Sequence, residues 1–473
     1  MPSVAHTVAL LLATSPFAPT LAAQAPPCHD LGGLDAVAQD AFAQAPLLQG
    51  LNLRVDQRGQ TVYQRSFGGY GPGQVVPIAS ATKTLSAAVL LSLVDDGTLS
   101  LDDPVGSWLP EWNVGQKAQI TLRMCFTHSS GMPTSAAPES DASITLRQAA
   151  FRIALLPLDA APGSQFAYGG VSMHVAGAVC EVASGLGWNA LFQQRIAGPL
   201  GMTATDYLAF GTAQNPRIAG GANSDLEDYA RFVAMLRQGG VFQGTRVLSQ
   251  AAVDTMLTDQ TSGLPVANTP HPDNAPYGVG IWLDRADAFG RTTLATAAGA
   301  FGFAGWVDRA HDASGVWLVL SQVATMYPFV QRCWGVTDVA LAPQGVACVG
   351  SPTPPCAPDA RLFATTWARA GQPDFALGLA KGPASSFGSV WVGAGGPAFG
   401  APVFDLIGYL PPDALLVGSL ATDAVGAGRL AAPLFAIPPG ALFTLQGAWL
   451  DDTGCGTSGL RASRAVVVDV QAP

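Results

Sequence analysis

Pro77-Ile78-Ala79-Ser80-Ala81-Thr82-Lys83 runs directly into Thr84-Leu85-Ser86-Ala87-Ala88-Val89-Leu90-Leu91-Ser92-Leu93-Val94. On a helix, residues three apart share a face, so Ser80 and Lys83 set a hydroxyl beside an amine. The run from Thr84 to about Val94 is apolar all round, the mark of a helix buried on every side. A buried helix with Ser-x-x-Lys in its first turn is the layout of a serine nucleophile and a lysine base. Burial and the helix N-terminus both disfavour the ammonium, leaving the amine free to take the serine proton. Backbone N–H groups at the helix start are placed to hold an oxyanion. Lys83, Lys117 and Lys381 are the only lysines, and only Lys83 has a serine three residues before it. The same spacing also fits a plainer arrangement, in which Ser80 caps a core helix and Lys83 snorkels to solvent.

The chain around this stretch has 473 residues, which predicts two domains. A hydrophobic content of 49% with 12% charged residues fits a large buried core. The net charge is −10 and no basic run occurs, which argues against nucleic acid and anionic membrane as partners. The apolar start Thr7–Ala13, with Ala23-Gln24-Ala25 as a small-residue cleavage site, predicts a signal peptide over residues 1–25 and export to the periplasm or beyond. No later run reaches the ~18 apolar residues of a spanning helix. Cys125 and Cys180 fall inside apolar helical patterns and read as free core thiols. Cys28, Cys333, Cys348, Cys356 and Cys455 are disulfide candidates in an exported protein, with the pairing open. No Cys/His spacing matches a zinc site, and neither metal nor cofactor is expected.

In chain order, Leu34–Phe42 reads as a helix, and Leu51–Val55, Arg58-Gly59-Gln60 and Val62–Phe67 read as a hairpin. Helical patterns cover Thr121 to about Thr127, then 145–155, 171–184, 188–197 and 225–238, the last with Ser224 and Glu227 as a capping box. Strand patterns follow at Tyr277–Leu283, Phe301–Val307 and Gly315–Leu320, then a helix from about Pro328 to Leu341. Strands at both ends with helices between predict an α+β fold: an antiparallel sheet flanked by helices, with a helical subdomain inserted. Residues 26–349 form this domain and 350–358 a Pro-rich linker. Residues 359–473, with short apolar runs such as Ser389–Val392, Val403–Ile407, Ala414–Val417, Leu434–Ile437, Leu442–Gln446 and Arg464–Asp469, form a β-sandwich module.

Five segments in order carry a further likeness: Pro77–Lys83, Leu99-Ser-Leu-Asp-Asp-Pro104, Ile120–Gly131 with Thr127-His128-Ser129-Ser130-Gly131, Pro162–Tyr168, and Ile196–Met202. Together they resemble the serine β-lactamase and penicillin-binding-protein superfamily, and in pattern the class C β-lactamases and family VIII carboxylesterases, over about residues 30–345. The resemblance implies a β-lactamase/transpeptidase-like fold. It implies Ser80 as the acylated nucleophile, Lys83 as its base partner, and Tyr168 as a phenol, its pKa lowered by the lysine charge, that shuttles the proton. It also implies Gly299 as a close-approach glycine and the Ala300 N–H as an oxyanion donor beside that of Ser80. The plainer reading of Tyr168 is a packing tyrosine with a satisfied hydroxyl. His128 is expected to be a structural hydrogen-bonder, His174 a packing residue, and Asp308 a turn or solvent group.

Two departures bear on function. Gly170 replaces the asparagine of Tyr-x-Asn, and Ala297 stands in Ala297-Ala298-Gly299 where the family has a lysine or histidine. Losing that cation removes a charge-assisted bond to a substrate carboxylate, unless an arginine elsewhere supplies it. Neutral esters suffer less. The expected function is therefore a serine hydrolase acting through an acyl-enzyme on short-chain esters or related amides. The alternatives are a DD-peptidase or β-lactamase, and a binding protein that kept the fold without the chemistry. The partner expected is a small ester, amide or peptide; a surface partner for the C-terminal module is left open.

Overall fold

The computed structural model describes residues 30–349 without a break. Beyond them it describes 361–380, 387–394, 401–403, 406–408, 415–423, 427–431, 437–450, 460–462 and 465–471. The predicted leader and the linker segment 350–358 lie outside the described residues. The chain forms two compact units, Gly32–Trp334 and one containing Gly335–Pro473.

In the first unit, helix α1 (Gly33–Gln44) precedes the hairpin β1 (Gly50–Gln57) and β2 (Gln60–Gly68). Four later strands join it: β3 (Trp282–Ala286), β4 (Thr292–Ala298), β5 (Ala304–Asp308) and β6 (Ala313–Leu318). The sheet is antiparallel in the order β2-β1-β6-β5-β4-β3, with Leu53 opposite Trp317 and Ala297 opposite Gly305. Between the hairpin and these strands lie helices α2 (Thr82–Asp95), α3 (Leu122–Phe126), α4 (Leu146–Ala154), α5 (Val171–Ser184) and α6 (Leu226–Arg237). Helix α6 packs across β1, β5 and β6. Helix α7 (Val323–Ala340) follows the sheet. Among the described residues no single helix is long and apolar enough to cross a membrane.

Helix α2 is buried at every position from Thr82 to Leu93. Its apolar side chains stabilise the core by about 1.5–3 kcal/mol each when fully buried. Its polar ones must find partners there. Thr82 Oγ1 accepts from the Ala222 N–H (3.1 Å), Thr84 Oγ1 donates to the Gly280 carbonyl (2.7 Å), and Ser86 Oγ donates to the Ile218 carbonyl (2.6 Å). These bonds tie the helix to two distant loops.

Several local expectations are corrected. The Tyr277–Leu283 strand starts only at Trp282, because Gly278 presses on the Met256 carbonyl and Gly280 turns with φ +77°. Phe301-Gly302-Phe303 is a turn, and the strand begins at Ala304. Strand β4 shows no alternation in sequence because it is buried on both faces. The N-cap of α6 is Asp225, which accepts from the Asp228 N–H at 2.8 Å, while Ser224 Oγ pairs with Thr205 Oγ1. Helix α7 begins at Val323 and carries Pro328 inside it. Cys333 is a buried free thiol on that helix, like Cys125 and Cys180 in the core. Cys28, Cys356 and Cys455 and the side chain of Cys348 lie outside the described residues.

The second unit is all β. One sheet joins, in order, Val346–Val349, Ala465–Asp469, Leu442–Leu450, Phe387–Ala394 and Leu415–Ala421, with Leu460–Ala462 also paired to the Leu442–Leu450 strand. A second joins Arg361–Ala364, Ala376–Ala380 and Gly428–Ala431. Leu362, Leu377 and Leu379 of the smaller sheet share a core with Val390, Leu445, Val466 and Val468 of the larger. This is sheet-on-sheet packing, as a sandwich requires. The expected run Val403–Ile407 is a small hairpin, Ala401–Val403 with Leu406–Gly408. Leu434-Phe435-Ala436 lies outside the described residues.

Candidate active site

Ser80 stands in a single 3₁₀ turn, Ala79–Ala81, that feeds helix α2. Ala79 just before it has φ +47°, a left-handed conformation that a residue with a Cβ adopts at a cost of about 1–3 kcal/mol. The turn is held from outside: Ile78 N–H donates to the Ala222 carbonyl (3.0 Å), and Tyr229 O–H donates to the Ala81 carbonyl (2.9 Å). Gly299, at the end of β4, packs so closely on the Ile78 carbonyl that a Cβ there would collide with it. Ala300 follows at the cavity rim. Among the described residues, neither the Ser80 nor the Ala300 amide N–H is given to another acceptor.

Lys83 is buried beneath Ser80, with Nζ 3.1 Å from Ser80 Oγ and 2.9 Å from the Ala219 carbonyl oxygen. Burial brings its pKa down from 10.5 to about 7, Glu139 opposing and Arg217 adding to the shift. Roughly half the amine is then neutral near pH 7. A neutral amine keeps one N–H for Ala219 and a lone pair for the serine proton.

Tyr168 reaches the same place from a different segment. Its backbone is fixed by exchange with Asn268: Tyr168 N–H donates to the Asn268 carbonyl (3.0 Å), and Asn268 Nδ2 donates to the Tyr168 carbonyl (2.8 Å). Its phenol hydrogen-bonds to the Ser80 side chain, and Lys83 Nζ lies 4.6 Å from its ring centroid. Trp282 stacks on the ring, centroids 5.2 Å apart and planes 22° apart. The expectation of a lowered phenol pKa is corrected. Burial pushes it well above 10, and the Ser80 hydrogen bond offsets this only in part. With Lys83 itself near neutrality, little charge is available to ionise the phenol, so Tyr168 keeps its proton.

The remaining expectations resolve as follows. His128 is buried, and among the described residues neither ring nitrogen has a hydrogen-bond partner. It packs against Tyr168 and Tyr277 at 4.6 and 5.0 Å instead, so its role is aromatic packing rather than hydrogen bonding. Burial, with Lys83 adding to the effect, drives its pKa well below 6.5. His174 bonds Asn215 Oδ1 through Nε2 at 2.9 Å, deep in the core. Asp308 is buried, against expectation, and accepts from the His311 N–H at 3.1 Å with His311 Nδ1 at 2.7 Å from its other oxygen. The Ala297 methyl belongs to the hydrophobic core, while Ala298 faces the cavity.

Ser80 and Tyr168 line two adjoining lobes. The larger, about 440 Å³, has Trp282, Tyr327, three prolines, Ala298 and Ala300 in its wall, and no lysine or arginine. Its rim includes His271, whose Nε2 lies 3.1 Å from Asp284 Oδ1 and 3.0 Å from the Tyr327 hydroxyl. The smaller, about 300 Å³, contains Lys83, Thr134, Ser135, Glu139, Gly170, Arg217 and Phe301. Glu139 occupies the space that a side chain at position 170 would need. Glu139, Arg217, His271 and Tyr327 carry no local sequence signal for the site. Only the short Ala136–Glu139 capping turn could have drawn attention to Glu139.

A serine, a half-neutral lysine, a protonated phenol and two spare amides at the mouth of a cleft are what acyl transfer to a serine requires. Known proteins agree. Residues 38–331 match the family model described as Beta-lactamase. The chain is 33% identical over 177 residues to the D-alanyl-D-alanine-carboxypeptidase/endopeptidase AmpH of Escherichia coli K12, covering 33% of this chain and 45% of that one. It is 32% identical over 195 residues to Esterase EstB of Burkholderia gladioli, covering 36% and 49%. The chain spans about half the length of the curated relatives it matches. Among solved structures, a putative beta-lactamase from Bacteroides dorei DSM 17855 superposes with TM-score 0.59 at 28% identity, over 64% of this chain and 98% of that one. With the family model covering well over half of its length and the Ser80–Lys83–Tyr168 cluster inside the matched segment, the chain belongs to the Beta-lactamase family, whose members are serine hydrolases.

Proposed function

We propose that this protein hydrolyses short-chain esters or related amides through an acyl-enzyme at Ser80. The observation that carries the reading is the meeting of Ser80 Oγ with Lys83 Nζ at 3.1 Å, under the Tyr168 hydroxyl. Neutral Lys83 takes the Ser80 proton as Oγ attacks the carbonyl carbon. The Ser80 and Ala300 N–H groups hold the oxyanion that forms. Tyr168 passes a proton to the departing alcohol or amine, and the same pair then takes a proton from the water that releases the acid. The sequence also favours export of the protein, through its apolar leader.

Ester hydrolysis ranks above β-lactam hydrolysis on the larger lobe, which beside Gly299 and Ala300 offers no cation for a carboxylate; Arg217 in the smaller lobe is the arginine that would favour the β-lactam reading instead. Turnover of p-nitrophenyl butyrate, with a burst and its loss in Ser80→Ala, tests the reading. Full activity in Ser80→Ala overturns it. Turnover of nitrocefin faster than of simple esters transfers the protein to the β-lactamase reading. An enzyme-free trace with every ester leaves a binding protein.

A further inference from the structure

Three segments that wall the smaller lobe come from far apart in the chain: the 3₁₀ turn Ala137–Ser140 with Glu139, the run Tyr168–Gly170 that leads into helix α5, and the loop with Arg217 and Ala219. One buried side chain ties them together. Asn215, 1% exposed, stands two residues before Arg217. Its Nδ2 donates to the Pro138 carbonyl (3.0 Å) and to the Asp141 carbonyl (2.9 Å), one on each side of Glu139. Carbonyls only accept, so the amide is fixed with Oδ1 turned to helix α5, where His174 Nε2 lies at 2.9 Å. Oδ1 also only accepts, so the imidazole carries its proton on Nε2, and among the described residues Nδ1 has no partner. The backbone N–H of His174 in turn donates to the Gly170 carbonyl (3.0 Å), two residues from Tyr168.

Nδ2 and Oδ1 of Asn215 are both engaged, and a satisfied buried amide fixes the direction of what it holds, as an apolar side chain of the same size would not. What it holds stands around one amine. Lys83 Nζ is 2.9 Å from the carbonyl oxygen of Ala219, on the loop that follows Asn215. Glu139 and Arg217 both act on the Lys83 charge, in opposite senses. The amine also faces Tyr168, with Nζ 4.6 Å from the ring centroid, and acts on His128. We propose that Asn215, oriented by His174, is a positioning residue for the Ser80 reaction: it holds the Glu139 turn to the Ala219 loop and so sets how close the Glu139 carboxylate stands to the Lys83 amine. Without it the turn moves off, Glu139 loses its hold on the ammonium, and Lys83 gives up its proton at lower pH. The proposal rests on the Ser80 hydrolase reading and names what places its base.

The test reads Lys83 in two ways. The chain has three lysines, so labelling lysine with 13C at Cε, with Lys83→Met for assignment, follows its titration by NMR without any substrate. The second readout is the rising limb of kcat/KM for p-nitrophenyl butyrate. In Asn215→Ala both midpoints should move to lower pH by about half a unit or more, the direction expected of Glu139→Gln. With Glu139→Gln already in place, Asn215→Ala should move them no further. His174→Phe leaves Oδ1 without its donor and should act like Asn215→Ala. His174→Gln, whose amide N–H can replace Nε2–H, should bring the midpoints back. Midpoints unmoved in both Asn215→Ala and His174→Phe, or shifts that simply add to that of Glu139→Gln, overturn the proposal and leave Asn215 a packing role that lowers the melting temperature alone. Where Asn215→Ala does not fold, the two His174 variants decide. In the wild type, 15N NMR of histidine-labelled protein should show His174 as the Nε2–H tautomer, and the Nδ1–H tautomer overturns the arrangement. Failure of the hydrolase reading shows separately: ester turnover survives Ser80→Ala, or no ester turns over, while the NMR midpoints still report on Asn215.

Discussion

Glu139 and Gly170 share one space: the glutamate carboxylate lies where the first carbon of a side chain at 170 would have to be. The family pattern carries an asparagine at that position, and here the amide is exchanged for a carboxylate arriving from another loop. Gly170→Asn alone should therefore lower both the melting temperature and kcat/KM, the latter by tenfold or more, through overpacking worth about 1–3 kcal/mol. Adding Glu139→Ala should recover part of the loss, so that the double variant is better than the two single effects combined. A thermal melt and an ester assay on the four proteins check the coupling, and strict additivity would break the link between the two residues.

The pH profile should follow Lys83. In the proposed mechanism the amine acts in its neutral form, so with its pKa at about 7, kcat/KM should rise with pH and level off above that value. Glu139 raises the Lys83 pKa, so Glu139→Gln should move the rising limb to lower pH. A limb that stays in place in Glu139→Gln argues against Lys83 as the titrating base.

Stability should carry the same signature. The folded pKa of Lys83 lies below its unfolded value, so between about 7 and 10.5 the unfolded chain binds more protons than the folded one. Stability from this group therefore increases as pH rises through that window. Lys83→Met removes the titration. Urea unfolding at several pH values should show the variant gaining most over the wild type near pH 7, with the gap narrowing towards pH 10.

Tyr168→Phe keeps the stacking on Trp282 and deletes only the hydroxyl. A proton relay at this position contributes about 10²–10⁴-fold, so kcat should fall by that order while KM changes little. Burial holds the phenol protonated, so wild-type activity should show no alkaline limb near 10 arising from Tyr168. Stopped-flow and steady-state ester kinetics decide both points.

Gly299→Ala would force a methyl against the Ile78 carbonyl, two residues from the nucleophile. The displaced turn should cost kcat about tenfold or more, with a smaller effect on the melting temperature, because the collision acts where reacting geometry matters most. Ester kinetics with a thermal melt separate the two effects.

Much of this was readable in the chain itself. Ser80 and Lys83 lie within one turn, where spacing alone fixes geometry, and the helix behind them announces its burial by an unbroken apolar run. Tyr168 needed the resemblance, since nothing local ties it to a segment nearly ninety positions earlier. Strand β4 was hidden from periodicity because both its faces are buried, and only the motif placed it beside the site. Glu139 and Arg217 were invisible for a physical reason: their meaning arises from the loop crossings that bring 134–139, 168–170 and 217–220 around one cavity. The phenol was misjudged because its ionisation depends on the charge state of Lys83, which burial sets and sequence does not display.

The two lobes share Ser80 and Tyr168 in their walls. On the proposed acyl-enzyme reading, the two product fragments would each stand in a chamber of its own. The first to leave would then not have to pass the one still tethered, and the emptied chamber would offer water a way to the acyl bond.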